Sequence, residues 1–202
     1  MTKVLAVMAS PKPEHLSLST RICQSFLDQY QSQNPQDTVW QLALHKTNLP
    51  LINQDTIDFF EAQTPAKTGE QSAIDALCQQ FITVDKYIFA FPNWNLLCPA
   101  DLVTYLLCVV RAGKAFSYTP QGVVGLLQNK KALLIISSGG YCTDHPYAIP
   151  CFGIDWLQRL LALCGITDIS LMIAQGGEQL PDQAEQIEEK SLGEAHDLAT
   201  VW

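Results

Sequence analysis

Lys3-Val-Leu-Ala-Val-Met-Ala-Ser-Pro-Lys-Pro-Glu-His-Leu-Ser-Leu-Ser-Thr20 decides how this chain folds. The run 3–9 is apolar on both alternating faces and too short for a buried helix. Such a run reads as a strand of a parallel sheet, covered by helices on both sides. Pro11 and Pro13 break it, and hydroxyls at Ser10, Ser17, Ser19 and Thr20 follow. Leu18, Ile22, Phe26 and Tyr30 then recur every fourth residue and make one helical face. The stretch is therefore strand, loop, helix.

The same unit repeats along the 202 residues. Further short apolar runs are TVWQLAL (38–44), KYIFAF (86–91), KALLIIS (131–137) and DISLMIA (168–174). Helical stripes lie between them: Ile74, Leu77, Cys78 and Phe81; the apolar stretch 102–110; Ile154, Leu157, Leu161 and Cys164. A last helix is expected from Pro181, a favoured first position, with Ala184, Ile187, Ser191, Ala195, Leu198 and Trp202 on one stripe. Five strands alternating with five helices make a doubly wound α/β sheet in a single domain, 1–202. The segment 45–69 is irregular, with Phe59 and Phe60 expected in a short helix. A connection of that length is functional or forms a contact surface.

Composition excludes several classes. Net charge is −8 with only 12 basic residues, and nothing clusters them for nucleic acid or an anionic membrane. No run approaches the ~20 apolar residues of a membrane span, and the N-terminus lacks a signal-peptide pattern. A cytoplasmic location is expected. Seven Cys (23, 78, 98, 108, 142, 151, 164) include no CxxC pair. They read as small buried hydrophobes rather than a disulfide framework or a zinc site. The four His have no metal-ligand spacing, so no metal is expected. The acidic stretch from Glu178 to Glu194 reads as the solvated face of the last helix.

Ligands of open parallel sheets bind beyond the strand C-termini, and three segments leave such ends. Ser10 to Thr20 runs into a helix N-terminus, where free amides and the helix dipole favour an anion. An ordinary Ser cap after a Pro turn would look the same. Neither a dinucleotide fingerprint nor a P-loop is present. Pro92-Asn93-Trp94-Asn95-Leu96-Leu97-Cys98-Pro99 offers amides and an aromatic face for a flat heteroaromatic ring, or a plain Asn turn over a core Trp. Ser137-Ser138-Gly139-Gly140 lets a ligand approach the backbone closely, or is a simple turn. The weight comes from all three falling at one sheet edge.

On these residues the chain resembles the FMN-dependent NADH azoreductases and flavodoxin-like quinone reductases. The family's Pro-Met-Tyr-Asn-Phe matches Pro92-Asn93-Trp94-Asn95-Leu96. Its Ser-Arg-Gly-Gly matches Ser137-Ser138-Gly139-Gly140, and its phosphate loop matches Ser10 and Ser17-Leu18-Ser19. Arg111-Ala-Gly113, Phe116-Ser-Tyr118-Thr119, Gly122, Gly125-Leu126 and Lys130-Lys131-Ala132 also follow it. Asn93-Trp94, Leu96, Ser138, Cys142 (for a His) and Leu107 (for an Asp) depart from it. The resemblance implies a flavodoxin-like, five-stranded, three-layer α/β/α fold. It implies bound FMN, NADH or NADPH as hydride donor, and a quinone or azo compound as acceptor by ping-pong kinetics. Ser10, Ser17, Ser19 and the Leu18 amide would hold the phosphate. Asn93 to Leu96 would line the ring, with Asn95 on its polar edge, and Gly139 and Gly140 would face the pyrimidine end. No side chain need be a nucleophile, acid or base, so no catalytic residue is assigned. Cys142 reads as a passive thiol. A homodimer is implied, with the helix after Pro99 and segment 45–69 as contact surfaces and Tyr118 reaching the neighbouring site. The rival readings are a flavodoxin-type electron carrier and a flavin-free regulatory protein that kept the fold.

Overall fold

A computed structural model describes residues 1–62 and 65–202. Five parallel strands form the sheet: β1 (Lys3–Met8), β2 (Thr38–Ala43), β3 (Lys86–Pro92), β6 (Lys131–Ser138) and β7 (Asp168–Gln175), in the order β2-β1-β3-β6-β7. The five apolar runs are these strands, to within a residue at either end. Among the described residues six α-helices accompany them: α1 (Leu18–Gln33), α2 (Gln54–Ala62), α3 (Gly69–Thr83), α4 (Ala100–Val109), α5 (Phe152–Leu163) and α6 (Ala184–Ala199).

Strand alternation sorts the core into two layers. Val4, Ala6 and Met8 of β1, with Ile88, Ala90, Leu133 and Ile135, pack under α1 and α6 through Ile22, Cys23, Phe26 and Ala195. Leu5 and Val7, with Tyr87, Phe89, Phe91, Leu134 and Ile136, face α3, α4 and α5 through Phe81, Leu102, Tyr105 and Leu157. Both faces of β1, β3 and β6 are thereby buried, which is why those strands carry no polar alternation. Among the described residues, no helix is long and apolar enough to cross a membrane.

Two features depart from the sequence reading. An antiparallel hairpin, β4 (Phe116–Thr119) and β5 (Gly122–Gly125), stands apart from the main sheet. Its Val123 and Val124 are exposed, so it carries no core-strand signal. The last helix does not begin at Pro181: Pro181–Gln183 is a 3₁₀ turn, and α6 starts at Ala184. Segment 45–69 does contain the helix expected around Phe59 and Phe60, as α2, while its residues 63 and 64 lie outside the described ones. The Arg111 guanidinium, 4.9 Å and 4.8 Å from the two Phe rings, pairs with Asp75 at 2.7 Å and so ties α2 to α3.

Candidate functional site

β1 pairs with β2 on one side and β3 on the other, so the chain reverses its winding direction at β1. At the carboxyl ends of β1, β3 and β6 the helices diverge to opposite faces, and a crevice opens there. An open cleft of about 200 Å³ occupies that position. Of the predicted residues, Ser10, Ser17, Leu18, Pro92, Asn93, Trp94, Ser137, Ser138 and Gly139 line it. The three loops meet as expected.

One end of the cleft is built by α1. Ser17 is its N-cap: its Oγ accepts from the Thr20 amide at 3.4 Å and from Thr20 Oγ1 at 2.8 Å. The cap stabilises the helix by about 1 kcal/mol. It also leaves the Leu18 and Ser19 amides, in the helix's first turn, without a carbonyl partner in the helix. Ser10 is buried at the end of β1 beside them. Ser19 does not line the cleft: it is fully buried, its Oγ 3.5 Å from that of Ser17. Lys12 and Leu16 do line it. Lys12 went unassigned in the sequence, although it is the one cation in the first loop.

The opposite wall is the turn after β3. The Asn93 amide N–H donates to the Ser137 carbonyl at 2.7 Å, which joins β3 to β6. Trp94 and Leu97 exchange backbone hydrogen bonds of 3.1 Å and 2.9 Å, and Asn95 (φ 49°) and Leu96 (φ 69°) form the two-residue tip. Two successive positive φ values match the twist of a tight hairpin. Asn tolerates that conformation, whereas Leu is strained in it by about 1 kcal/mol. The tip turns Asn95 to the exterior, so Asn95 and Leu96 are not among the cleft's lining residues. Asn93 and half-exposed Trp94 hold the wall.

The floor belongs to the Gly pair. Gly139 lines the cleft and Gly140 lies outside its lining. The Gly139 carbonyl accepts the Glu178 and Gln179 amides at 3.1 Å and 3.0 Å, which brings the loop after β7 into the site. A Cβ at Gly139 would lie 2.6 Å from the Glu178 carboxylate. Glu178 and Gly177 thus join the cleft, which corrects the reading of Glu178 as part of a solvated helix face.

Two cysteines also depart from expectation. Cys142 is no passive thiol: it is disulfide-bonded to Cys151, the residue preceding α5, with Cα atoms 5.7 Å apart. The remaining five are free and buried as predicted. Among the described residues no cluster of His, Cys, Asp or Glu is arranged to hold a metal.

The cleft fits a flavin mononucleotide. Helix-start amides, hydroxyls and Lys12 suit a phosphate at one end. An indole face, the Asn93 amide and a side-chain-free backbone at Gly139 suit a flat polar ring at the other. A family profile described as flavodoxin-like fold matches residues 2–198. The FMN-dependent NADH:quinone oxidoreductase 1 of Bacillus subtilis (strain 168) is 38% identical over 208 positions, covering 100% of both chains. The FMN-dependent NADH:quinone oxidoreductase of Macrococcus caseolyticus (strain JCSC5402) is 36% identical over 211, again with 100% of both chains covered. An azoreductase structure from Bacillus anthracis str. Sterne superposes with a TM-score of 0.90 at 36% identity over 100% of each chain. An FMN-dependent NADH-azoreductase of Bacillus anthracis str. Ames Ancestor, in complex with FMN, gives 0.89 at 27% identity, covering 99% of this chain and 98% of that one. The chain belongs to the flavodoxin-like family that includes the FMN-dependent NADH:quinone oxidoreductases and azoreductases.

Proposed function

We propose that this chain is an FMN-dependent NAD(P)H oxidoreductase that reduces quinones, azo compounds or both, and that residues 1–202 form one flavin-binding domain. The observation that carries this reading is the cleft at the winding reversal, with its phosphate-type end at α1 and its ring-type end between Trp94 and Gly139. FMN held there would supply the hydride chemistry between nicotinamide donor and acceptor. The protein binds and orients. The Leu18 and Ser19 amides, with Ser10, Ser17 and Lys12, hold the phosphate, and Ser19 acts through its backbone because its side chain is turned inward. Asn93 and Trp94 border the ring in place of Asn95, and the Gly139 backbone sits at its polar end. Among the described residues, Lys12 and Glu178 are the only ionisable side chains lining the cleft, and both are exposed. Neither is held as a general acid or base must be, so the mechanism rests on positioning. Donor and acceptor using this one open entrance in turn would give ping-pong kinetics.

We assign a homodimer working in the cytoplasm. Trp94, Leu97, Ile149 and Phe152, next to the site in sequence, are 41%, 54%, 52% and 53% exposed, an unusual apolar presentation for a monomer. Light scattering should return twice 22.4 kDa. The decisive test is the visible spectrum of the protein with FMN, then with anaerobic NADH, then with a quinone or azo dye. Rapid bleaching followed by recolouring supports a reductase. Bound flavin that NADH leaves coloured points to an electron carrier, and failure to bind flavin overturns the proposal.

A further inference from the structure

We propose that Cys142 and Cys151 form a reversible thiol–disulfide exchange site that sets how tightly the cleft binds its cofactor. The second half rests on the flavin reading above; the first half does not.

The pair differs from every other sulfur in the chain. Cys23, Cys98 and Cys164 are buried thiols that desolvation pushes up to about 12, Cys108 goes up to about 11, and Cys78 is raised for the same reason. Those five are inert toward exchange. Cys142 is only half-buried and is followed by exposed Thr143 and Asp144, so a thiolate from solution can reach its Sγ. Cys151 lies deeper, at 9% exposure. The Asn93 Nδ2 group is 3.1 Å from Cys151 Sγ and 3.8 Å from Cys142 Sγ. Cys151 also immediately precedes the 12-residue helix α5. Charge left on Cys151 therefore meets an amide donor and a helix N-terminus, which favours it as the leaving sulfur.

The loop does not depend on the bond for its shape. The Cys142 and Thr143 amides donate to Gln175 Oε1 at 2.7 Å and 3.1 Å, and Gln175 Nε2 returns a bond to the Thr143 carbonyl at 3.0 Å. The Ile149 amide donates to the Tyr141 carbonyl at 2.9 Å, and the Tyr141 and His145 rings stack 3.7 Å apart. With both ends held, the two thiols stay near each other after reduction, and the bond re-forms readily.

The reaction balances with a dithiol as reductant. Its thiolate attacks Cys142 Sγ, the S–S bond breaks, and the electron pair leaves on Cys151 Sγ. The second thiol of the reductant, as thiolate, then displaces Cys142 and closes a disulfide in the reductant. Two electrons and two protons pass to the pair. A disulfide such as oxidised glutathione reverses it through a mixed disulfide. The coupling to the cleft runs through Asn93, which lines it. A disulfide sulfur is only a weak acceptor, whereas a thiol both accepts and donates. Reduction separates the two sulfurs that the Asn93 amide now meets at 3.1 Å and 3.8 Å, and so re-aims that amide relative to the ring it would otherwise contact.

The test uses the full native chain with and without dithiothreitol, quenched in acid and alkylated after unfolding. Free thiols should rise from five to seven, with the new labels on Cys142 and Cys151. Oxidised glutathione should restore five. No new label without prior unfolding would make the bond a permanent staple and overturn the proposal. FMN affinity, read by fluorescence quenching, should weaken about threefold to tenfold on reduction, the effect of one redirected hydrogen bond. C142S should show the weaker affinity without dithiol, and the C142S/C151S double variant should ignore dithiol. Equal affinity in both redox states would overturn the coupling. If neither state bound FMN, the proposed function and the coupling would fall together, while the thiol count would still decide the exchange site.

Discussion

Tyr87 and Tyr105 are both fully buried, yet the same substitution should act on them with opposite sign. The Tyr87 hydroxyl donates to the Phe81 carbonyl at 2.7 Å. The Tyr105 hydroxyl has no partner among the described residues. Removing a paired buried hydroxyl orphans its acceptor, while removing an unpaired one relieves a desolvation cost. Tyr87→Phe should destabilise by about 1 kcal/mol and Tyr105→Phe should be neutral or stabilise by a similar amount, as urea unfolding would read. Lys12 is the residue-scale test of the cleft. If its ammonium faces a phosphate, Lys12→Ala should weaken FMN binding about threefold to tenfold, and added salt should narrow the gap, because the charge is exposed. A salt-independent loss would place Lys12 elsewhere.

The elements are joined by a few large contacts. Trp202 lies edge-on to Phe26 and Tyr30 of α1, with ring centroids 5.3 Å and 5.7 Å away. Lys86 and Lys131 sit over its indole at 4.6 Å and 4.8 Å, and Lys86 Nζ donates to its carbonyl at 2.8 Å. The residue thereby fastens the end of α6 to α1 and the sheet, beside the pairing of Arg21 with Glu188. Trp202→Ala should cost about 3 kcal/mol, seen as a lower Tm with cofactor binding retained. On the other face, β5 touches the turn after α5. A Cβ at Gly125 would fall 2.2 Å from the Gly165 amide nitrogen and 2.3 Å from the Cys164 carbonyl carbon. Backbone cannot give way as a side chain can, so Gly125→Ala should destabilise by about 2 kcal/mol or more. Differential scanning calorimetry would check both.

For the molecule as a whole, one carboxylate ties the start of the sheet to α1. Asp37 accepts from the Thr2 amide at 2.7 Å and the Tyr30 hydroxyl at 2.8 Å, and the backbone bond from Thr2 leads in holding its carboxyl below the usual range. A lowered folded-state pKa gives stability that is complete above the ordinary Asp value and is lost as pH falls through the folded one. Asp37→Asn should therefore flatten the acid limb of a stability profile below about pH 4 and leave its neutral-to-basic part parallel to the parent's. An unchanged acid limb would remove Asp37 from that role. The five strands could be read in the sequence because runs such as KVLAVM and KALLIIS are buried on both faces, a signal carried by the residues themselves. The helix stripes and the hydroxyl-rich start of α1 were equally local, and they placed three loops at one sheet edge. The β4–β5 hairpin escaped because exposed Val123 and Val124 leave no buried face to detect. Which side chains entered the cleft was decided only by tertiary structure. Positive φ at Asn95 and Leu96 turned Asn95 out and left Asn93 in, hydrogen bonds to Gly139 brought Glu178 across from β7, and loop closure brought Cys142 to Cys151. Periodicity and caps depend on neighbours a few residues away, so the sequence determined them. Turn handedness, loop paths and sulfur pairing depend on where distant elements stop, and only the folded chain sets that.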